Sequence, residues 1–244
     1  MWQNLISIPW SHHRYIIDKC KDVNKAIFFV NKTLENNWSR NILLNFLDTN
    51  LYEREGKAIT NFEFSLPFQD KELAKQILKD PYNFDFLTIR KDYDERELKA
   101  ALIENIQKFL LELGNGFSFI GKEYRLIINN DELYIDLLFY NIKTHSYVVI
   151  EVKTRAFKPE DIGQLAAYVS SVNHILKSYK DGQTIGLLIC KDKNDILAQY
   201  TLEGVNFPLG ISKFELNEQV LKEYKHALPS IEEIENELQE KINT

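Results

Sequence analysis

The chain has 244 residues, of which 44% are apolar and 27% charged, and its formal net charge is −6. These proportions exclude a low-complexity chain and are those of a globular protein with one large or two modest domains. The acidic balance argues against a broad basic surface for nucleic acid, although acids that hold a metal count as negative while the ion reverses their effect locally.

No apolar run approaches a membrane span, and the opening residues MWQNLISIPW lack a basic start followed by an apolar core. A cytoplasmic chain is therefore expected. Cys20 and Cys190 lie far apart, fit no metal or redox spacing, and read as reduced, buried thiols.

From Ser11 to Asn36 the apolar positions Tyr15, Ile16, Val23, Ile27, Val30 and Leu34 recur at helical spacing, with Ser11 as the expected N-cap. Adjacent His12 and His13 diverge on a helix and cannot chelate one ion together. Ser39 caps a second helix to about Glu55, which Gly56 closes. Arg14, Arg40, Arg54 and Lys57 read either as a solvated helix surface or as a phosphate-contacting face. A short helix from Asp70 stops at Asp80-Pro81, because proline disfavours helix in the residue before it. Phe84, Phe86, Leu87 and Ile89 form an apolar patch, read as an interface or a docking strand. The boundary is placed near Arg90: residues 1–90 as a helical N-terminal domain, 91–244 as an α/β domain.

Asp94 to Leu113 is the clearest helix, with Leu98, Leu102, Ile106, Phe109, Leu110 and Leu113 on one stripe and Gly114 ending it. Strands follow at Phe117–Ile120 and Glu123–Ile128, then at Leu133–Tyr140 and Tyr147–Lys153. A helix is expected over Lys158–Lys177, then a strand buried on both faces at Thr184–Cys190. A helix at Ile196–Leu202, a final strand at Leu209–Leu216 and an acidic closing helix at Ile231–Lys241 complete the order.

The chemistry gathers in the strands over 133–153. Strand side chains alternate faces, so Glu151 and Lys153 point one way and Val152 the other. If the two strands are a hairpin, Asp136 lies beside Glu151. Two carboxylates and an ammonium at the edge of an apolar sheet are costly to bury without a use. A divalent cation between the carboxylates would relieve their repulsion, and the lysine would sit where developing negative charge needs a partner. The blander reading is a solvent-facing acid and an exposed ion pair worth little. Hard oxygen ligands favour Mg²⁺ or Mn²⁺ over zinc.

This constellation, Tyr134-Ile135-Asp136 followed by Ile150-Glu151-Val152-Lys153, resembles the PD-(D/E)xK nuclease superfamily. Most of the chain, roughly residues 8–216, resembles its YhcG-type family. The residues that carry this are Trp10-Ser11-His12, Asn37-Trp38-Ser39-Arg40, Leu51-Tyr52-Glu53-Arg54, Lys79-Asp80-Pro81-Tyr82, Phe84-Asp85-Phe86-Leu87, Phe109 to Gly114, and Gly163-Gln164-Leu165 with Tyr168. Family members usually carry a further helical segment ahead of the Trp-Ser-His stretch. Here Met1 stands almost on top of it, so a shortened chain and a complete one both stay open.

The resemblance implies a restriction-endonuclease-like mixed sheet flanked by helices, and metal-dependent hydrolysis of phosphodiester bonds, most readily in DNA. It implies Asp136, Glu151 and the Val152 carbonyl as metal ligands, and Lys153 as the group that orients or deprotonates water or stabilises the transition state. It points to a helix glutamate completing the cluster, read as Glu104 with Glu97 competing. Gln164 would orient water or contact DNA, or else is a polar residue on a helix surface. The rival is a catalytically silent nucleic-acid-binding or assembly module of a restriction-modification or defence system, for which residues 1–90 could dock the partner. A homodimer is open. No phosphate-binding Gly-rich loop, His-Glu-x-x-His, Cys-x-x-Cys or Gly-x-Ser-x-Gly supports another chemistry.

Overall fold

The computed structural model describes residues 7–216, so the expected helix at Ile231–Lys241 lies outside the described residues. The first four helices are α1 (Trp10–Lys19), α2 (Val23–Asn36), α3 (Arg40–Asp48) and α4 (Leu51–Arg54). The periodic stretch from Ser11 to Asn36 is thus two helices, because the Asp22 carboxylate accepts the Lys25 N–H and starts a new one. Asn37 and Asn50 take left-handed backbone angles (φ 50° and 52°), which set the corners after α2 and before α4. Ser39 caps α3 as expected, whereas Ser11 lies inside α1, whose start after Pro9 has no side-chain cap. Ile16, Phe29, Val30, Leu43, Phe46 and Leu51 bury one another in a core of their own. His12 joins its two ends: its Nε2–H donates to the Trp38 carbonyl at 3.0 Å.

The rest of the described chain surrounds one mixed sheet. The short pieces come first: β1 (Ile59–Thr60), α5 (Phe62–Ser65), α6 (Phe68–Gln76) and β2 (Tyr82–Asn83). Next come α7 (Glu95–Glu104), α8 (Ile106–Leu113), β3 (Phe117–Ile128), β4 (Asp131–Asn141) and β5 (Ser146–Ala156). The last are α9 (Glu160–Ile175), β6 (Ile185–Asp192), α10 (Asp195–Glu203) and β7 (Leu209–Glu215). The spatial order is β1-β7-β6-β5-β4-β3, with β2 also pairing β7. β3, β4 and β5 form an antiparallel meander, while β5, β6 and β7 run parallel, with α9 and α10 as the crossovers. On one face Leu98, Leu102 and Phe109 cover Leu137, Phe139, Ile150 and Leu187. On the other, Ile162, Leu165, Val169 and Leu202 cover Leu138, Val149, Leu188 and Ile211. The architecture is α/β, a mixed sheet flanked by helices, with a mainly helical N-terminal region.

Several local features depart from the sequence reading. The helix expected over Asp94–Leu113 breaks at Asn105, whose side-chain amide donates to the Ala101 carbonyl at 3.0 Å. Phe117–Ile128 is one strand with an irregularity between Phe119 and Gly121. Residues 59–60 and 82–83, both upstream of Arg90, pair with β7 and so belong to the sheet. Asn61 clamps the approach to β7: its amide donates to the Val205 and Phe207 carbonyls and its oxygen accepts the Leu209 N–H.

Arg54 is removed from the expected basic face, because it is buried. Its guanidinium meets Glu112 at 2.5 Å and also donates to the Thr49 and Pro81 carbonyls, while Glu112 accepts the Asn83 N–H. Lys79, also buried, donates to the Glu112 and Leu113 carbonyls at the end of α8, and burial pushes its ammonium down to about 8. These contacts tie the helical cluster to the sheet. Breaking a buried ion pair leaves a charge uncompensated. Arg54→Met or Glu112→Gln is therefore expected to cost about 3–5 kcal/mol in urea unfolding, far more than Arg14→Met on the exposed surface.

Candidate active site

The chemistry sits in a fork in the sheet. β4 and β5 pair from Asn141↔Ser146 to Leu137↔Ile150 and then part, β4 continuing beside β3 and β5 beside β6. The next residues after the last rung are Asp136 and Glu151. With no ladder bond to hold it, the Val152 N–H turns to the Asp136 carboxylate, 3.4 Å away. Val152 keeps its side chain in the core. Alternation along β5 then puts Glu151 and Lys153 together, and the Lys153 ammonium donates to Glu151 Oε1 at 2.8 Å.

A third carboxylate arrives from α7, where Glu95 is the first residue. Asp94 caps this helix: its carboxylate accepts the Glu97 N–H at 2.8 Å, and the Glu97 side chain accepts the Asp94 N–H in return. That box fixes the helix start against the fork. Carboxylate oxygens of Glu95, Asp136 and Glu151 all lie within 4.8 Å of one another. Lys153 also reaches Glu95 Oε1 at 3.2 Å. A second lysine, Lys99, one turn along α7, donates to Asp136 Oδ1 at 2.7 Å and stands 3.8 Å from Glu95 Oε1.

Three acids at this spacing strain one another. Burial first, and then the Asp136 charge, push the Glu151 carboxyl up to about 7, against the opposing pull of Lys153 and Lys99. Its second oxygen, Oε2, is buried with no hydrogen-bond partner. For Lys153, burial works to lower the ammonium's pKa, but Glu151 and Glu95 outweigh it and the net shift is upward.

Of the residues singled out from sequence, the structure brings Asp136, Glu151 and Lys153 together. Glu104 is exposed at the far end of α7 and is not in the acidic cluster, because ten residues of helix carry it away from the fork. Glu97 is occupied by the cap and by Arg90. The helix glutamate that lies beside Asp136 and Glu151 is Glu95, and the Asp94-x-x-Glu97 pattern that fixes the helix start was the sequence signal for it. Gln164 is exposed on α9 and donates to the Tyr168 hydroxyl at 2.8 Å. Burial raises the Tyr168 phenol, with the Glu151 and Asp136 charges adding to it against the opposing Gln164 bond, so Tyr168 feels the charge of the cluster, while Gln164's hydrogen bond is to Tyr168. A cavity of about 500 Å³, lined by Trp38, Phe46, Leu110, Phe117 and Lys143, lies elsewhere, between the helical cluster and α8, and holds none of these acids.

Among the described residues no helix is long and apolar enough to cross a membrane. Residues 75–229 match the family model described as the YhcG PDDEXK nuclease domain, and residues 1–54 match the DUF1016 N-terminal domain. A curated relative named "Putative nuclease YhcG", from Escherichia coli (strain K12), is 27% identical over 98% of this chain, which spans 62% of that protein's length. Among solved structures, a repair endonuclease from Pyrococcus abyssi is 20% identical over 53% of this chain and 49% of its own, with a TM-score of 0.36. EndoMS in a complex with dsDNA is 16% identical over 55% of this chain and 47% of its own, with a TM-score of 0.34. The fork with its acids and lysine, the mixed sheet around it and the match over 75–229 agree: the chain belongs to the YhcG PDDEXK nuclease domain family.

Proposed function

We propose that this chain is a divalent-metal-dependent nuclease that hydrolyses phosphodiester bonds, with DNA as its first substrate class. The observation that carries the reading is the convergence of Glu95, Asp136 and Glu151 with the Lys153 ammonium in a partly buried fork. The residues suit a hard dication: the ligands are carboxylates, and the partnerless Glu151 Oε2 is a buried acceptor that such an ion would satisfy. Asp136, Glu151 and Glu95, with the Val152 carbonyl, would hold Mg²⁺ or Mn²⁺. When bound, the ion supplies Lewis acidity, making a water more acidic and neutralising the phosphate.

The chain's own residues supply the rest. Lys153, held by Glu151 and Glu95, presents a charged ammonium where the attacking water and the developing oxyanion would lie. Tyr168 on α9, partnered by Gln164, is proposed to orient groups that approach the cluster from the α9 side. The helical cluster over residues 10–54 is proposed to steer nucleic acid or a protein partner towards the sheet. The silent-module reading finds no support in the acid–acid–lysine set, which is complete.

The test is cleavage of single-stranded, double-stranded and branched DNA and RNA by the purified chain with Mg²⁺ or Mn²⁺. Lys153→Ala, Asp136→Ala and Glu95→Gln are each expected to lower the rate by roughly 100-fold or more, with folded circular-dichroism spectra. Glu104→Gln is expected to cleave as the parent does. Cleavage that survives Lys153→Ala in pure protein sinks the mechanism.

A second expectation concerns pH. The raised Glu151 carboxyl keeps a proton that the unfolded chain has already lost. In EDTA, stability should therefore fall as pH rises from about 4.5 to about 7 and level off above, by at most roughly 3 kcal/mol. Glu151→Gln should flatten that slope in urea titrations across the window.

A further inference from the structure

Two ammoniums serve the three carboxylates, and they serve them unequally. Lys153 rises from β5 itself and bonds both Glu151 (2.8 Å) and Glu95 (3.2 Å), with its side chain 11% exposed. Lys99 reaches in from the surface of α7, its side chain 23% exposed, and its hydrogen bond is to Asp136 Oδ1 at 2.7 Å. The other Asp136 oxygen accepts the Val152 N–H. Both oxygens of this carboxylate are thus engaged by donors of the protein, one of them by a full positive charge.

A dication that took Asp136 as a ligand would stand against that ammonium on the same carboxylate, and like charges at such a distance repel strongly in a partly buried site. One of the two has to give way. Lys99 can: it is a long, unbranched side chain on the surface of α7 with solvent at hand, so its ammonium can swing outward into water. Lys153 is less free, since both of its partners would have to be broken.

Resting on the metal-nuclease reading above, we propose that Lys99 is a built-in competitor for the divalent ion, neutralising Asp136 until the cation displaces it. Lys99 is then a positioning residue and sets how tightly the ion binds. Its ammonium keeps three crowded carboxylates tolerable in the folded protein, and the exchange of one cation for another lowers the ion's apparent affinity by the strength of the contact it replaces.

The experiment is Mn²⁺ titration of the purified full chain at pH 7.5 without nucleic acid, following free Mn²⁺ by electron paramagnetic resonance. Lys99→Met is expected to bind Mn²⁺ roughly tenfold more tightly than the parent. Lys99→Arg, which keeps the charge, should bind as the parent does, and Asp136→Asn should bind weakly in either background. Lys99→Met should also melt earlier in EDTA and recover with Mn²⁺, a rescue that simple damage to the fold would not give. Lys99→Gln serves the same titration if the methionine variant does not fold. If the parent binds Mn²⁺ and the uncharged variant binds it no better, the competitor role is overturned while the metal centre stands. If neither binds, both fall.

Discussion

Everything around the candidate site follows from how a sheet parts. Where β4 leaves β5 for β3, the ladder ends, and a backbone N–H that would have had a carbonyl finds the Asp136 carboxylate instead. A fork between strands is a place where polar groups can enter a sheet without breaking its core, because the ladder bonds there are already absent. Leu137, Val149, Ile150 and Val152 stay buried on either side of it. The acids therefore stand on rigid strands over well-packed side chains, which fixes their spacing more firmly than a loop could.

The charge arithmetic of that place is the second constraint. Three carboxylates with oxygens within 4.8 Å of one another crowd like groups together, and the structure answers with Lys153 from the strand and Lys99 from the helix. The answer is incomplete, since Glu151 retains an unpartnered buried oxygen and a carboxyl raised to about 7. Such unrelieved strain is what functional sites keep and purely structural ones lose. The contrast lies within this chain: the buried Arg54–Glu112 pair, equally deep, has each donor and acceptor occupied by Thr49, Pro81 and Asn83, and it reads as scaffold.

Sequence made Asp136, Glu151 and Lys153 legible because all three lie within 18 residues, inside strands whose period of two needs no tertiary knowledge. The sheet core was legible for the same reason: the apolar run Thr184–Cys190 is a strand buried on both faces. Glu95 was harder. Its place in the cluster depends on where α7 starts and how it packs on β5, and every amphipathic helix carries spare glutamates, so Glu104 was read there, with Glu97 competing. The helix start was nonetheless written in Asp94 and Glu97, and a cap read first would have pointed to Glu95, the one acid of the two residues between them. β1 and β2, two residues each, are too short for any periodicity, and their pairing with β7 is set wholly by packing. Arg54 was misjudged as a surface cation because its partner, Glu112, is 58 residues away.

The pairing of β1 and β2 with β7 carries a consequence for how the chain is made. Asn61 and Leu209, joined through side chain and backbone, are 148 residues apart in sequence. On a ribosome, the early segment emerges long before the strand it must meet, and it waits unpaired while the β3–β5 meander, local in sequence, can already form. Asp136 and Glu151 thus belong to the part of the sheet whose pairing is local in sequence, whereas its far edge needs β7, the last strand among the described residues.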